Sequence, residues 1–207
     1  MEDVLDLYEQ SYDPKRPVIC LDERPCQLIG DAISPIPMKH GSTKKEHYEY
    51  IRNGTCCIFM AFEPRAGKRV TCVTEHRTKI DYANFMKKLA QHYPNADSIL
   101  LVQDNLNTHT AGSFYEALPP DEAFELAKRF EFHYTPKKGS WLNMVEIELS
   151  ALSKQCLDRR IENIEKLADE VGAWEQERNE IGATVRWRFN KNDARLKLQR
   201  HYFKLQN

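Results

Sequence analysis

The sequence contains no apolar run of about 18 residues, the length that a membrane-spanning helix needs, so it has no candidate membrane span. The N-terminal stretch "MEDVLDLYEQSYDPKRP" is acidic and lacks the apolar segment of a secretory signal, which predicts a cytoplasmic protein. Glycine and proline are few, at 8 and 10 of 207 residues, and there is no internal repeat or low-complexity tract. With 41% hydrophobic residues, the chain is typical of a globular domain with a sizeable core.

The six cysteines do not form a metal-binding pattern. No C-x-x-C pair is present, and no second cluster stands at the spacing of a zinc site. Most of them lie in apolar runs such as Val18-Ile19-Cys20 and Cys56-Cys57-Ile58. We therefore expect reduced thiols that pack as small hydrophobic side chains.

The chain also lacks the basic excess of a dedicated nucleic-acid-binding domain. Lysine and arginine number 30 and aspartate and glutamate 31, for a net charge of -1. The charges are unevenly distributed, because segment 161–181 is mostly acidic and the tail from residue 186 onward is mostly basic. A charge run most often marks a solvated face, so the basic tail is compatible with phosphate binding without requiring it.

Hydrophobic periodicity and turn residues predict five strands and six helical segments. The predicted strands cover residues 17–21, 54–63, 68–75, 99–102 and 130–134. The predicted helices cover residues 78–93, 113–118, 119–129, about 143–159, 164–179 and 193–205. The second and third strands form a hairpin, and strands and helices alternate after it. This order predicts an α/β protein with one mixed sheet and helices on its faces.

Two aspartates follow predicted strands directly. Asp22 ends the run "VICL", and Asp104 ends the run "ILLVQ". If the two strands are parallel neighbours, the carboxylates lie side by side at one edge of the sheet, where ligands gather. A divalent cation would offset their repulsion, and oxygen ligands favour Mg²⁺ or Mn²⁺. The alternative is that both residues only close turns.

The third candidate carboxylate is Glu146 in "GSWLNMVEIELS". It shares a helix face with Ser150 and Ser153, which would allow that face to approach the sheet edge. The neighbouring stripe formed by residues 145, 149, 152 and 156 is apolar and would dock the helix, whereas Glu148 points elsewhere. A capping box between Asn143 and Glu146 is the alternative interpretation.

Three stretches in order, "VICLDE", "LVQDNLNTH" and "GSWLNMVEIE", resemble the motifs of DDE transposases of the mariner-type superfamily, with the bacterial insertion-sequence branch most similar. The positions of that family's catalytic triad match Asp22, Asp104 and Glu146. The resemblance runs from about Val18 to Leu157. It implies a ribonuclease H-like fold, a mixed five-stranded sheet flanked by helices, with residues 1–207 forming one catalytic domain.

The resemblance also implies chemistry and partners. Two Mg²⁺ or Mn²⁺ ions held by the triad would support cleavage of double-stranded DNA at terminal inverted repeats and transfer of the 3′-OH into a TA-containing target. A homodimer is expected, since two transposon ends must be joined, and the protein would associate with the bacterial nucleoid when bound to DNA. The remaining expected site residues support the triad: Lys137, Lys138, Ser140 and Asn143 contact DNA, and Asn105 and His109 orient Asp104 or the DNA backbone. For Trp141 we favour packing over stacking on a base.

The sequence departs from the family pattern in two ways. The interval between the second and third motifs is longer than in animal members, which the helical segment "PPDEAFELAKRF" explains. An N-terminal helix-turn-helix region is expected to be absent, which predicts weak or non-specific DNA binding by this chain and a separate N-terminal DNA-binding chain as partner. Two alternatives stay open: a ribonuclease H-like nuclease without strand transfer, and an inactive truncated transposase.

Overall fold

The computed structural model describes residues 1–199. The strands are β1 (Val18–Asp31), β2 (Tyr50–Glu63), β3 (Lys68–Thr74), β4 (Ile99–Gln103) and β5 (Phe130–Tyr134). The helices are α1 (Glu2–Glu9), α2 (Lys79–His92), α3 (Phe114–Ala117), α4 (Pro120–Lys128), α5 (Val145–Gln155), α6 (Ile164–Ile181) and α7 (Lys191–Lys197). Short 3-10 helices cover Ala111–Ser113 and Ser140–Leu142. Within the described residues, no helix is both long and apolar enough to cross a membrane.

The five strands form one mixed sheet in the order β3-β2-β1-β4-β5. The first three strands are antiparallel neighbours, whereas β1, β4 and β5 run parallel. Helices provide the crossover connections that parallel neighbours require. The predicted α/β fold, with a mixed five-stranded sheet flanked by helices, is confirmed.

Helices cover both faces of the sheet, and alternation along each strand decides which face a side chain joins. On one face, Leu100 and Val102 of β4 pack with α5 and α6. On the other face, Ile99 and Leu101 pack with α2, α3 and α4. Because both faces are covered, β4 reads in the sequence as a continuous apolar run rather than an alternating one.

Strand β1 is longer than predicted and does not end at Asp22. The strand continues for nine residues beyond that aspartate because its second half pairs with β2, which places Asp22 opposite Met60. The acidic pair Asp22-Glu23 therefore lies inside a long hairpin strand. Only the parallel pairing with β4 stops near this point.

Strand β2 also begins earlier than predicted, at Tyr50. Asn53 and Gly54 lie inside it and do not form the expected turn before it. Gly54 has a φ of +111°, and the pairing register shifts between Gln27 and Ile29 of the neighbouring strand. A β-bulge accounts for both observations and for turn-type residues within a strand.

The N-terminal helix α1 is not predicted by the sequence analysis. Its inner side is buried, and the hydroxyl of Tyr8 donates a hydrogen bond to the carbonyl oxygen of Leu142 at 2.8 Å. This bond connects α1 to the loop that precedes α5. The last helix begins at Lys191, two residues earlier than predicted, and the part of that prediction after residue 199 lies outside the described residues.

All six cysteines are free thiols, in agreement with the expectation of unpaired cysteines. Burial raises the pKa of Cys20 and of Cys56 to about 11. These thiols are therefore protonated near neutral pH and have little nucleophilic character.

A buried ion-pair group joins α5 to α6 and β3. The carboxylate of Glu148, which is 1% exposed, accepts hydrogen bonds from Arg69 Nε at 2.8 Å and from Arg178 Nη2 at 2.9 Å. Arg69 also donates to the backbone carbonyls of Gly67 and Ala183. Burial acts to raise the pKa of Glu148, but the two guanidinium groups outweigh it and hold this pKa below its usual value. Glu148 is thus a structural carboxylate, directed away from the candidate site as expected.

Candidate active site

Asp22 and Asp104 occupy neighbouring positions on parallel strands. Cys20 pairs with Val102 in the register of β1 and β4, and each aspartate lies two residues further along its own chain segment. Alternation places Asp22 on the face of Cys20, which is the face covered by α5. Asp104 is the first residue after β4. The expected parallel pairing is present, although Asp22 lies within its strand rather than at the end of it.

Asp22 lies in a partly buried and acidic environment. Its Oδ1 accepts a hydrogen bond from the backbone N–H of Glu23 at 2.8 Å. Burial raises the pKa of Asp22, this hydrogen bond opposes the increase, and the negative charges of Glu23, Glu146 and Asp104 add to it, for a pKa of about 7. Glu146 and Asp104 are therefore near enough to act on Asp22 through their charges, and a bound cation would favour its ionised form.

His109 links Asp104 to a second, buried carboxylate. Its Nδ1 lies 2.6 Å from Oδ1 of Asp104, and its Nε2 lies 3.0 Å from Oε2 of Glu23. Burial alone would lower the pKa of His109, but the two carboxylates outweigh it and raise this pKa to about 9. The imidazolium is thus the main form at neutral pH and can donate from both nitrogens. Arg77 Nη1 lies 3.1 Å from the other oxygen of Glu23.

The imidazole ring of His109 is itself held by buried side chains of α2 and β4. It stacks on Tyr82 with a ring-centroid distance of 4.9 Å. The Tyr82 hydroxyl donates to Oε1 of Gln103 at 2.9 Å, and the amide of Gln103 donates to the carbonyl oxygen of His109 at 2.9 Å. His109 is thus held against Asp104, and its expected orienting role stays a prediction. No local sequence pattern marks Tyr82, Gln103 or Arg77 as members of this network, and the only signal for Glu23 is its position next to Asp22.

Asn143 ties the loop before α5 to β1. Its side chain is buried, and its amide donates to the carbonyl oxygen of Leu21, next to Asp22, at 2.8 Å. The expected DNA contact by Asn143 is therefore corrected, because a buried amide bonded to the protein's own backbone is not placed to reach DNA. The alternative capping box with Glu146 does not form either, since α5 begins after Met144 with no side-chain cap.

Glu146 lies in the first turn of α5 on its solvent side. The apolar stripe expected to dock this helix is buried, and it consists of Val145, Leu149, Leu152 and Cys156. Glu146 and Ser150 are exposed and Ser153 is half-buried. The face that they share was expected to approach the sheet edge, but it is turned towards solvent. The Glu146 carboxylate therefore lies on the solvent side of the helix, and its negative charge contributes to the raised pKa of Asp22.

The other expected site residues lie on exposed loops. Lys137, Lys138 and Ser140 are exposed in the loop between β5 and α5, and Asn105 is exposed directly after Asp104. The loop is tightly bent: Lys138 has a φ of +62°, and a Cβ atom on Gly139 would stand 2.6 Å from Cγ of Pro136. The two lysines are therefore presented by a constrained turn. Their contact with DNA stays a prediction.

Trp141 is packed on one side and open on the other. Its ring stacks on Trp187 at a centroid distance of 6.3 Å and meets Phe189 edge-on at 5.5 Å. The residue is nevertheless 46% exposed. The favoured packing role agrees with these contacts, but they leave much of the indole accessible.

The three candidate carboxylates do not converge on one point by themselves. Among residues 1–199, no group of three or more His, Cys, Asp or Glu side chains is arranged so as to hold a metal ion. Asp104 is hydrogen-bonded to His109, and Glu146 is exposed. A cation at this position would take further oxygen ligands from outside the protein, and Mg²⁺ commonly takes water and substrate phosphate in this way.

The sheet order and the covering helices define a ribonuclease H-like fold, with the paired aspartates as its candidate active site. The same fold occurs in the Mos1 mariner paired-end complex with Mn, at a TM-score of 0.57 and 15% sequence identity. It also occurs in the Mos1 transposase paired-end complex with the left transposon end, at a TM-score of 0.57 and 14% identity. Each comparison covers 87% of this chain and 55% of the other, so this chain spans about half the length of those proteins.

The family follows from the sequence itself. The family model described as DDE superfamily endonuclease matches residues 17–168, most of the chain and all three candidate carboxylates. The chain therefore belongs to the DDE superfamily endonucleases, which confirms the resemblance at the level of the superfamily; the bacterial insertion-sequence branch stays a prediction. No curated protein matches the sequence.

Proposed function

We propose that this chain is the catalytic domain of a mariner-type DDE transposase of the bacterial insertion-sequence branch. It would cleave DNA strands at transposon ends and join the freed 3′-OH to target DNA, with residues 1–207 forming one domain. The observation that carries the proposal is the parallel register that sets Asp22 beside Asp104, with Glu146 acting on Asp22. All three lie within the segment that matches the endonuclease family.

Asp22, Asp104 and Glu146 are the proposed ligands of two Mg²⁺ or Mn²⁺ ions. Their oxygen-only donor set suits these hard cations. The raised pKa of Asp22 supports the assignment, because a bound cation would offset the repulsion among the carboxylates. The open arrangement fits a site that DNA phosphate completes. When bound, two such ions would activate the attacking oxygen and stabilise the departing one.

The protein's own contribution is to hold these carboxylates in place. The imidazolium of His109 donates to Asp104 and orients it, while Glu23 lies against the other side of the ring. Asn143 holds the start of α5, and with it Glu146, against the backbone next to Asp22. Pre-organisation of this kind reduces the rearrangement needed when DNA binds.

Double-stranded DNA is the proposed partner, as transposon terminal inverted repeats and as a TA-containing target. The Mos1 structures are paired-end complexes, one with Mn and one with a left transposon end, which supports DNA and a divalent metal as partners here. A homodimer would bring two ends together. Lys137, Lys138 and Ser140 would contact phosphates near Glu146, and Asn105 would contact the backbone near Asp104.

The test is a two-part DNA assay on the purified chain. Supercoiled plasmid is first incubated with Mn²⁺ or Mg²⁺ and scored for nicking, and a pre-cut duplex with a free 3′-OH is then incubated with a target plasmid and scored for joined product. We expect metal-dependent nicking and joining with the wild type, and neither with Asp22→Asn. Nicking without joining would favour a ribonuclease H-like nuclease, and no metal-dependent product in either assay would favour an inactive truncated transposase.

The pH dependence of metal binding provides a second test. Since metal binding requires the ionised carboxylate, protons compete with Mn²⁺ at Asp22 below its pKa of about 7. We expect Mn²⁺ affinity, measured by isothermal titration, to rise up to about tenfold per pH unit below pH 7 and to level off above it. In the metal-free protein, Asp22 ionises more easily in the unfolded chain than in the folded one because its folded-state pKa is raised. Its contribution to the free energy of unfolding should therefore fall as the pH rises from about 4 to 7.

Asp22→Asn is the matched variant for this titration. Its residual Mn²⁺ binding should lose the part of the pH dependence that is centred near pH 7. A wild-type affinity that does not change between about pH 6 and pH 8 would contradict Asp22 as a ligand whose ionisation limits binding.

A further inference from the structure

The segment between α6 and α7, residues 183–190, alternates between inward and outward side chains. Val185, Trp187 and Phe189 are half-buried, whereas Arg186 and Arg188 are exposed. Side chains two residues apart on an extended chain point to the same side, so the two arginines project together into solvent. Both arginines belong to the basic tail of the sequence, which has no role in the proposed catalytic mechanism.

Aromatic contacts fix this segment beside the candidate active site. Trp187 packs against Tyr8 at 5.5 Å and stacks on Trp141 at 6.3 Å, both between ring centroids. Trp141 belongs to the short 3-10 helix that leads directly into α5 and Glu146. The backbone N–H of Val185 also donates to the carbonyl of Pro64 at 2.9 Å, which fastens the segment to the turn after β2.

The two arginines differ in their surroundings from the basic residues that follow them. Lys191 pairs with Asp6 at 2.5 Å, and Arg195 pairs with Glu2 at 2.8 Å. By contrast, neither Arg186 nor Arg188 makes an ion pair with any residue in the range 1–199. Their charge is therefore available to a partner outside the described chain.

The same side of the molecule presents further free cations. Lys137 and Lys138 are exposed on the constrained turn that precedes Trp141, and within the described part of the chain they too lack an acidic partner. In a protein of net charge -1, four uncompensated cations around one half-exposed indole form a local basic and aromatic surface. Such a combination is typical of surfaces that follow a nucleic-acid backbone.

We propose that Arg186 and Arg188 bind phosphates of duplex DNA next to the active site, and that they extend the contact surface begun by Lys137 and Lys138. This inference rests on the proposed function for its choice of DNA as partner. Trp141 connects the two parts, because it packs on Trp187 and lies in the loop that carries the lysines. The contacts are to the backbone and carry no sequence preference.

The test is the salt dependence of binding to a duplex oligonucleotide in buffer with EDTA, measured by fluorescence anisotropy. Each phosphate contact contributes about 0.9 to the slope of log affinity against log salt on B-DNA, so the double variant R186Q/R188Q should lose about 1.8 from the wild-type slope. The ratio of the wild-type affinity to the variant affinity should therefore fall roughly 12-fold when the salt concentration is raised fourfold. Both side chains are exposed, so the thermal unfolding midpoint should not change.

The double variant K87Q/K128Q is the matched control. It removes the same charge from α2 and α4, on the opposite face of the sheet, where both lysines form exposed ion pairs. Its slope should equal that of the wild type. Equal slopes for R186Q/R188Q and the wild type would overturn the proposal, as would absence of duplex binding by the wild type or preferential binding of single-stranded RNA.

The outcome is independent of the catalytic proposal because no metal is present in the binding assay. A reduced slope together with no Mn²⁺-dependent nicking would support the surface and refute the transposase activity. Nicking together with an unchanged slope would support the activity and refute the surface.

Discussion

Asp104→Asn is expected to lower the rate of metal-dependent DNA nicking by on the order of 10³-fold. Asparagine retains an oxygen that can accept the hydrogen bond from His109, so the loop should keep its position. What is lost is the negative charge that would hold a cation in the proposed site. A metal supplies several kcal/mol of transition-state stabilisation, and each 1.36 kcal/mol changes the rate tenfold. Initial rates of plasmid nicking in Mn²⁺ measure the effect.

Asp97→Asn is the control for that substitution. Asp97 lies just before the start of β4, whereas Asp104 follows its end. The Asp97 side chain is 75% exposed and makes only a loose contact with Lys15, at 3.8 Å. Exposed pairs of this kind contribute little, so its nicking rate should equal that of the wild type. Wild-type nicking by a folded Asp104→Asn protein would show that this carboxylate takes no part in the reaction, and Asp104 would then be a turn residue.

Glu148→Ala is expected to lower the free energy of unfolding by about 3–5 kcal/mol. The substitution leaves the guanidinium of Arg69, whose side chain is 0% exposed, without the carboxylate that compensates its charge. It also removes the partner of Arg178 on α6, so α6 loses part of its attachment to α5 and β3. Urea unfolding followed by circular dichroism measures the loss.

The neighbouring Glu146→Ala is the matched comparison, with the same chemical change two residues away on the same helix. Glu146 is exposed, so its effect on stability should stay within about 0.5 kcal/mol, while metal-dependent nicking falls sharply. Equal stability losses in the two variants would contradict the division into a structural and a catalytic glutamate.

The pH dependence of the Glu148 effect has a defined sign. Because the pKa of Glu148 is held below its usual value in the folded protein, its stabilising contribution is present above the unfolded-state value of about 4.3 and disappears as the pH falls through the folded-state pKa. The difference between wild type and Glu148→Ala should therefore shrink in acid.

Hydrophobic runs and helical periodicity in the sequence were sufficient to predict most of the strands and helices. The apolar run before Asp104 and the periodicity of α2 and α5 led to the correct elements, and the order of elements led to the mixed sheet. The position of Asp22 within its strand was not predictable in this way. It depends on the pairing of residues after Asp22 with β2, a contact that leaves no mark in the stretch "VICLDE".

The roles of individual polar residues depended still more on distant contacts. Arg69 and Glu148 are 79 residues apart in the sequence, and nothing in either segment shows that they meet in the interior. Asn143 resembled a helix cap or a DNA contact because its local sequence fits both, yet it bonds to the carbonyl of Leu21. His109 was more accessible to sequence reasoning, since it lies close to Asp104 in the chain.

The buried group of Arg69, Glu148 and Arg178 has a consequence for synthesis of the chain on the ribosome. Its members come from β3, α5 and α6, so the group cannot close until translation has passed residue 178. Until then α5, which carries Glu146, lacks one of its anchors. We therefore expect nascent or prematurely terminated chains to carry Asp22 and Asp104 without a firmly placed third carboxylate, so that strand cutting begins only once nearly the whole domain has been made.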